Sequence, residues 1–159
     1  MRSPPQQVTR RSALILTVVG VAAHSLPVRA LALPQVVINK NPSCGCCQKW
    51  AEHLVGAGFA VTVVETSKLD ELKRRLGVPG DLASCHTAEI GGYVVEGHVP
   101  AAAILRLLEE KPIAIGLAVP DMPIGSPGME GGAPEVYEVV LFGKERPLSF
   151  GRYRGAERI

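Results

Sequence analysis

The sequence predicts an α/β domain that follows a short N-terminal export leader. Short β-branched runs alternate with helical patterns through most of the chain, and turns containing Gly and Pro separate them. Such alternation is typical of a sheet with helices packed against it. The concentration of cysteines at the start of the first helical pattern indicates where the chemistry lies.

Residues 1–32 have the pattern of an export signal. Arg10 and Arg11 precede an uncharged apolar stretch over residues 13–23, and Ala30-Leu31-Ala32 forms a small-x-small cleavage pattern. The paired arginines match a twin-arginine leader, and an ordinary secretory (Sec) leader is the alternative. Because the apolar stretch is shorter than the roughly 20 residues of a spanning helix, we predict no membrane attachment after cleavage.

The mature domain, residues 33–159, is predicted to be slightly acidic. The whole chain has 17 Lys and Arg residues against 15 Asp and Glu residues, but four of the arginines lie in the leader, which leaves 13 basic residues. Nothing in this balance predicts a nucleic-acid partner. Export places the cysteines in an oxidising compartment, where thiols persist only if they are bridged, metal-bound or actively reduced.

The elements of the mature domain are predicted from periodicity and turn residues. In chain order they are a strand over residues 35–39, a helix from residue 46 to the glycines at 56 and 58, a strand over 59–64, a helix over 67–76, a hairpin of strands 88–90 and 93–96, a helix over 101–110, and strands over 136–142 and 148–153. Residues 113–134, rich in Gly and Pro, are predicted to form an irregular loop that carries Met122 and Met129. The charged residues of the second helix are predicted to face solvent: Lys68, Asp70, Glu71, Lys73, Arg74 and Arg75.

The order of the first seven elements is that of the thioredoxin-like architecture. We therefore predict an α/β, thioredoxin-like variant with a βαβαββα core, a Gly/Pro-rich methionine loop and a C-terminal strand pair. Thioredoxins have a proline in the turn before the third strand. No proline lies between Pro79 and Pro100, so the chain departs from a standard member.

Three of the four cysteines form a Cys-x-Cys that overlaps a Cys-x-x-Cys. Cys44, Cys46 and Cys47 lie at the predicted N-terminus of the first helix, where unpaired amides and the helix dipole favour thiolates. By analogy of element order, the loop before the third strand should return beside this helix end. Cys85 lies in that loop, so we expect all four sulfurs to converge.

Converging sulfurs allow several kinds of site. Thiolates with thioethers select Cu(I), and Met122 and Met129 lie where no helical or strand period makes them core residues, although gap-filling in the core is the alternative for each. Thiol-disulfide exchange needs only Cys44 and Cys47 and leaves Cys46 without a role. Export disfavours an iron–sulfur cluster, and zinc sites usually show two separated pairs. The spacing favours copper, with thiol redox chemistry and other metals as alternatives.

The sequence also indicates roles for the histidines and the tryptophan of the mature domain. His86 adjoins Cys85 and is a candidate ligand or proton donor, while His98, at a strand-to-helix junction, is a candidate cap or ligand. His53 is predicted to lie at the surface. Trp50, one turn along from the cysteines, is predicted to pack in the core and shield the sulfurs from water.

Four motifs together resemble one known family. They are Pro-Ser-Cys-Gly-Cys-Cys-x-Lys-Trp from Pro42, Ser-Cys-His-Thr-Ala from Ser84, Gly-Tyr-Val-Val-Glu-Gly-His-Val-Pro from Gly92, and Gly-Leu-Ala-Val-Pro-x-Met-Pro-x-Gly-Ser-Pro-Gly-Met-Glu from Gly116. The chain resembles the bacterial periplasmic CopG-type copper-resistance family, a metal-binding family of CxCC type, over about residues 35–153. One departure is Asp121, where the family more commonly has glycine.

The resemblance implies a thioredoxin-like domain with a cysteine-held copper centre of one or several ions. Residue by residue, the copper sulfurs would be those of Cys44, Cys46, Cys47 and Cys85. The further residues that fall inside matching motifs are His86, His98, Met122 and Met129.

We therefore predict a periplasmic copper-binding protein that contributes to copper resistance, with Cu(I)/Cu(II) redox activity as a further expectation. The alternative is an enzyme, a thiol-disulfide oxidoreductase that uses Cys44 and Cys47. A third interpretation is a passive chaperone. The expected partners are copper ions and either a periplasmic copper exporter or an electron-transfer protein, with no nucleic acid and no membrane.

Overall fold

Residues 32–159 form a mixed α/β domain with one eight-stranded sheet and three α-helices in the computed structural model, which describes these residues only. The expected export leader lies outside the described residues apart from Ala32. Within residues 32–159, no helix combines the length and the apolar character required to cross a bilayer.

The helices and strands follow one another in the predicted order as far as the third helix. In chain order they are β1 (Val36–Lys40), α1 (Gly45–Gly56), β2 (Val61–Glu65), α2 (Leu69–Leu76), a 3₁₀ turn (Gly80–Leu82), β3 (His86–Ile90), β4 (Tyr93–Gly97), α3 (Ala101–Glu110), β5 (Gly116–Val119), β6 (Val136–Phe142), β7 (Leu148–Arg154) and β8 (Glu157–Arg158). The strand order across the sheet is β2-β1-β3-β4-β5-β6-β7-β8. The pairs β1/β2 and β4/β5 are parallel and the other pairs are antiparallel.

The prediction that residues 113–134 are irregular throughout is wrong at β5. Residues Gly116–Val119 are fully buried and pair with β4 on one side and β6 on the other. A glycine is required at the start of this strand, because a Cβ atom on Gly116 would lie 1.7 Å from the carbonyl oxygen of Val94. This short strand joins the predicted C-terminal strand pair to the rest of the sheet.

Apolar side chains cover both faces of the sheet. Helices α1 and α3 pack on one face, where Trp50, Leu54, Ile104 and Leu107 belong to the larger buried cluster. The segment from the end of α2 through the 3₁₀ turn covers part of the other face with a smaller cluster. The start of α1 is therefore held rigidly against the sheet, since Trp50 and Leu54 are completely buried one and two turns along.

One residue of the predicted solvent-facing set on α2 is buried. Lys73 has a side chain only 8% exposed, and its ammonium group forms a salt bridge with the fully buried carboxylate of Glu96 on β4. The prediction that Lys73 faces solvent is wrong because it considered only the charge pattern within the helix, whereas the partner lies on a strand beneath it. Lys73 also donates a 2.9 Å hydrogen bond to Thr87 Oγ1.

Candidate metal centre

A tight turn that begins at Asn41 places Cys44, Cys46 and Cys47 at the start of α1. The side-chain oxygen of Asn41 accepts hydrogen bonds from the Ser43 amide (3.1 Å) and hydroxyl (2.8 Å), and the Asn41 carbonyl accepts one from the Cys44 amide. Cys44 is the N-cap residue with an extended backbone, and the helix begins at Gly45. This arrangement fixes the three cysteines within the first turn.

The four cysteine sulfurs lie together. All four Sγ atoms are within 4.8 Å of one another. Cys44 and Cys47 are joined by a disulfide, while Cys46 and Cys85 are free thiols. The free thiols flank the bridge, with Cys46 Sγ 3.5 Å from Cys44 Sγ and Cys85 Sγ 3.7 Å from Cys47 Sγ. The Cys85 loop thus returns to the helix end as the element order predicts.

The buried carboxylate of Glu96 accepts hydrogen bonds from residues on both sides of Cys85 in the chain. The Ser84 amide donates to Glu96 Oε1 at 2.6 Å, and the Thr87 hydroxyl donates to Glu96 Oε2 at 2.7 Å. Glu96 lies opposite Thr87 in the β3/β4 pair. The Lys73–Glu96 salt bridge therefore orients the backbone that carries Cys85 and His86.

Both candidate histidines contact the Cys85 sulfur. His86 Nδ1 lies 3.2 Å and His98 Nε2 lies 3.1 Å from Cys85 Sγ, and both rings are fully buried. His98 Nδ1 is 2.7 Å from the Pro127 carbonyl oxygen, which can only accept a hydrogen bond. The Nδ1 atom of His98 must therefore carry the proton, and in the neutral ring the Nε2 lone pair faces the sulfur.

Burial keeps this set uncharged in the absence of a metal. Desolvation lowers the pKa of His98, and it lowers that of His86 well below the ordinary value with a further contribution from the neighbouring His98. Burial, and next the nearby Cys46 thiol, raise the pKa of Cys85 to about 12. The Nε2 atom of His86 is buried and makes no hydrogen bond of ordinary geometry among the described residues. Neutral imidazoles are the form that ligates metals.

The structure places Trp50 as predicted but not His53. The Trp50 indole nitrogen donates a 2.8 Å hydrogen bond to the Val99 carbonyl, and its ring packs 4.3 Å from that of His86. His53 is half-buried, and its Nε2 atom accepts a 3.0 Å hydrogen bond from the Ala101 amide. The surface assignment of His53 is wrong because this side chain caps the start of α3, which no pattern within α1 could reveal.

The loop between β5 and β6, which is predicted to carry methionine ligands, lies against the centre through Pro127 and Gly128, and these two contacts were not predicted from the sequence. Gly128 lies so close to α1 and His98 that an added Cβ atom would be 2.8 Å from the Cys46 carbonyl oxygen and 3.1 Å from His98 Nδ1. Its amide donates to Glu130 Oε1 at 2.8 Å, and this hydrogen bond is the main cause of the lowered pKa of Glu130. The only sequence signal was the Gly-Ser-Pro-Gly-Met-Glu run. Met122 is exposed on this loop and Met129 is half-buried, and a role for either as a ligand stays a prediction.

Two potential ligand groups overlap at one sulfur. The first comprises Cys44, Cys46, Cys47 and Cys85, and the second comprises Cys85, His86 and His98, with the ligand atoms of each group within 4.8 Å of one another. Thiolate and imidazole donors suit thiophilic and borderline metals, not hard cations such as Mg²⁺. Which of these six residues ligate a metal stays a prediction.

The chain is similar to a family of unknown function and to two solved structures of a copper resistance protein. Residues 82–129 match a protein family described only as of unknown function, DUF411. No protein with a curated description matches the chain. Two solved structures, described as forms 1 and 2 of the copper resistance protein CopG, each share 42% sequence identity and a TM-score of 0.72 with it. The alignments cover 77% and 76% of this chain and 99% and 98% of those chains. This chain therefore belongs to the family of the copper resistance protein CopG.

Proposed function

We propose that this protein binds copper as Cu(I) in a thiolate cluster and contributes to copper resistance. The observation that carries the proposal is the convergence of four cysteine sulfurs within 4.8 Å of one another. Soft thiolates are the ligands that select Cu(I), and the family relationship supports copper as the cargo. Because thiolates are the binding form, the Cys44–Cys47 disulfide must be reduced before all four sulfurs can ligate.

Charge balance favours more than one ion. Four thiolates around a single Cu(I) would leave a large negative charge in a partly buried centre, which is unfavourable. Shared sulfurs distribute that charge over several cations, and the neutral donors His86 and His98 extend the cluster without adding to it. Cys85, which contacts both imidazoles and the disulfide, is the natural bridging thiolate.

The proposal extends to the domain type, the cellular location and the redox activity of the protein. The βαβαββα order, with the cysteine motif at the start of α1, supports a thioredoxin-like domain over residues 33–159. The pattern of residues 1–32 supports export to the periplasm by the Sec or the twin-arginine route. Cu(I)/Cu(II) redox activity, with an exporter or an electron-transfer protein as partner, fits a centre in which three of the four cysteines are partly exposed.

Anaerobic titration of the reduced protein with Cu(I), followed by ultraviolet charge-transfer absorption, tests the copper proposal. We expect saturation at more than one Cu(I) per chain. Cys85→Ser should lower the stoichiometry, and His98→Gln should weaken binding while the matched control His53→Gln leaves it unchanged, because His53 Nε2 already accepts the Ala101 amide. Saturation of the wild-type protein at one equivalent would contradict the multi-ion centre. Equal effects of the two histidine variants would contradict the role of His98 as a donor.

A second candidate function is thiol-disulfide exchange with a substrate protein. The observation in its favour is the Cys44–Cys47 bridge, a Cys-x-x-Cys disulfide at a helix N-terminus. If it is the main activity, the metal-free protein should catalyse insulin reduction by dithiothreitol. Cys44→Ser should abolish that catalysis, whereas Cys46→Ser and Cys85→Ser should retain it. Rates equal to the uncatalysed reaction would eliminate this candidate and leave the copper proposal intact.

A further inference from the structure

We propose that the protein forms a weak homodimer through β2, in which the free edge of this strand pairs antiparallel with the same edge of a second copy. The two-fold axis passes beside Val63. The inference rests on the sheet and not on the cysteines, so it is independent of the proposed copper function.

The strand β2 is a long, unprotected edge of the sheet. It stands at one end of the strand order, and within residues 32–159 it pairs with β1 alone. Its five residues, Val-Thr-Val-Val-Glu, include no proline and no lysine, and its pairing with β1 has no bulge. Those are devices by which proteins prevent an edge from pairing with another chain. The opposite edge is protected by its shortness, because β8 has only two residues.

The exposed side chains of this edge suit a strand as the partner. Val63 and Val64 are 37% and 40% exposed, and they point to opposite faces of the sheet. A ligand on one face would cover only one of them, whereas a strand added at the edge covers part of both. The carboxylate of Glu65 is paired with the Lys40 ammonium at 3.2 Å, which reduces its repulsion of a second acidic strand.

The backbone of β2 directs alternate residues to the free edge. The Val36 amide donates to the Ala60 carbonyl at 2.8 Å, and the Thr66 amide donates to the Lys40 carbonyl at 2.9 Å. In the regular parallel ladder between these two bonds, the even-numbered residues of β2 are bonded to β1. The N–H and C=O groups that point away from β1 are therefore those of Val61, Val63 and Glu65.

These outward groups are complementary to their own copy. An antiparallel pair centred on Val63 places Val63 opposite the same residue of the second copy, and Val61 opposite Glu65. All three N–H and all three C=O groups of each copy then find a partner. On the other face, Thr62 lies opposite Val64. The contact uses the same patch on both copies, so it closes as a two-fold dimer and does not extend into a fibre.

The antiparallel arrangement keeps the two cysteine centres apart. Helix α1 begins just after β1, and β2 runs parallel to β1, so each centre lies at the end of the sheet toward which β2 runs. Reversal of the second strand places the second centre at the opposite end. Each centre therefore remains open to its own ions. An interface of one five-residue strand is small, so we expect weak association.

Sedimentation velocity of the mature protein tests the dimer over a concentration range of about 1 µM to about 1 mM. A reductant and a chelator exclude dimers joined by disulfides or metal ions. We expect a concentration-dependent dimer, and Val63→Lys should weaken it by about tenfold or more, because two ammonium groups would face each other at the axis. Leu105→Lys is the matched control. Leu105 is 39% exposed on α3, a helix whose Arg106 bonds to β7 near the far edge of the sheet.

Amide hydrogen exchange, measured by NMR, identifies the surface that pairs. The Thr62 and Val64 amides should be protected at every concentration and in Val63→Lys, which also shows that this variant is folded. The Val61, Val63 and Glu65 amides should exchange rapidly in dilute wild-type protein and slowly in concentrated protein. A protein that stays monomeric throughout the range would overturn the proposal, as would a dimer in which these three amides remain unprotected. Equal weakening by Leu105→Lys would also overturn it.

Discussion

Replacement of Lys73 by Met is expected to lower the free energy of unfolding by about 3–5 kcal/mol, since it leaves a buried carboxylate without its counter-charge. Glu96 is completely buried, and Lys73 supplies the only positive charge paired with it among residues 32–159. The Thr87 hydroxyl and the Ser84 amide still donate to Glu96, but neither neutralises it. Urea denaturation of the mature protein at neutral pH measures the loss.

Two variants control this result, and pH provides an independent check. Lys68→Met, at an exposed position beside the same helix, should change stability by less than about 0.5 kcal/mol. Adding Glu96→Leu to Lys73→Met should recover much of the loss, because the unpaired charge is then gone. An unfolding free energy of Lys73→Met equal to that of the wild-type protein would refute the role of the pair.

The pH dependence follows from the direction of the Glu96 pKa. Burial raises the pKa of Glu96, and Lys73 partly opposes that rise. Without Lys73 the folded-state pKa lies further above the unfolded value, so the protonated carboxyl is favoured in the folded protein. A contribution of this sign is fully present below the unfolded pKa and is lost as pH rises through the folded pKa. The deficit of Lys73→Met should therefore shrink as the solution is acidified.

Gly128→Ala is expected to destabilise the protein by about 1–3 kcal/mol and to weaken metal binding by about 10–100-fold. Gly128 has a φ angle of +90°, and its added Cβ would lie 2.8 Å from the Cys46 carbonyl oxygen and 2.9 Å from the Trp50 amide nitrogen. The loop would have to move away from α1. That movement would break the hydrogen bond between the Pro127 carbonyl and His98 Nδ1, which fixes the His98 tautomer.

Gly131→Ala is the matched control for this prediction. Gly131 lies in the same loop and also has a positive φ angle (+143°), but nothing lies within 4 Å of its added Cβ. It shares the backbone strain and lacks the contacts with α1. Nitrogen NMR of the His98 ring reports the tautomer directly, and a Cu(I) competition titration reports affinity. Similar tautomer signals and affinities in the two alanine variants would show that the loop does not position His98.

The sequence predicted those parts of the fold that local patterns encode. The period of Trp50 and Leu54 located α1, and β-branched runs located most of the strands. The strand β5 was not predicted, because four apolar residues within a Gly- and Pro-rich stretch show no recognisable strand or helix period. The burial of Lys73 was not predicted for a different reason: its partner Glu96 lies 23 residues away on another element.

The candidate site could be predicted from the sequence to a similar extent. Local spacing identified the cysteine triplet, and the order of the elements predicted that Cys85 lies beside it. The wall formed by Pro127 and Gly128 could not be foreseen, since it acts through a backbone carbonyl and the absence of a side chain, and neither leaves a compositional signal. The choice of Cys44–Cys47 as the bridged pair was also open, because the sequence allows several pairings among neighbouring cysteines.

The position of Glu96 on β4 also constrains how the β3/β4 hairpin can fold. Its neighbour Val95 points into the apolar cluster on the opposite face of the sheet. A slip of β4 by one residue would turn the carboxylate into that cluster, away from its ammonium partner, and would turn Val95 toward Lys73. Misaligned hairpins would therefore be strongly disfavoured, so one ion pair both anchors the cysteine loop and selects the correct strand alignment during folding.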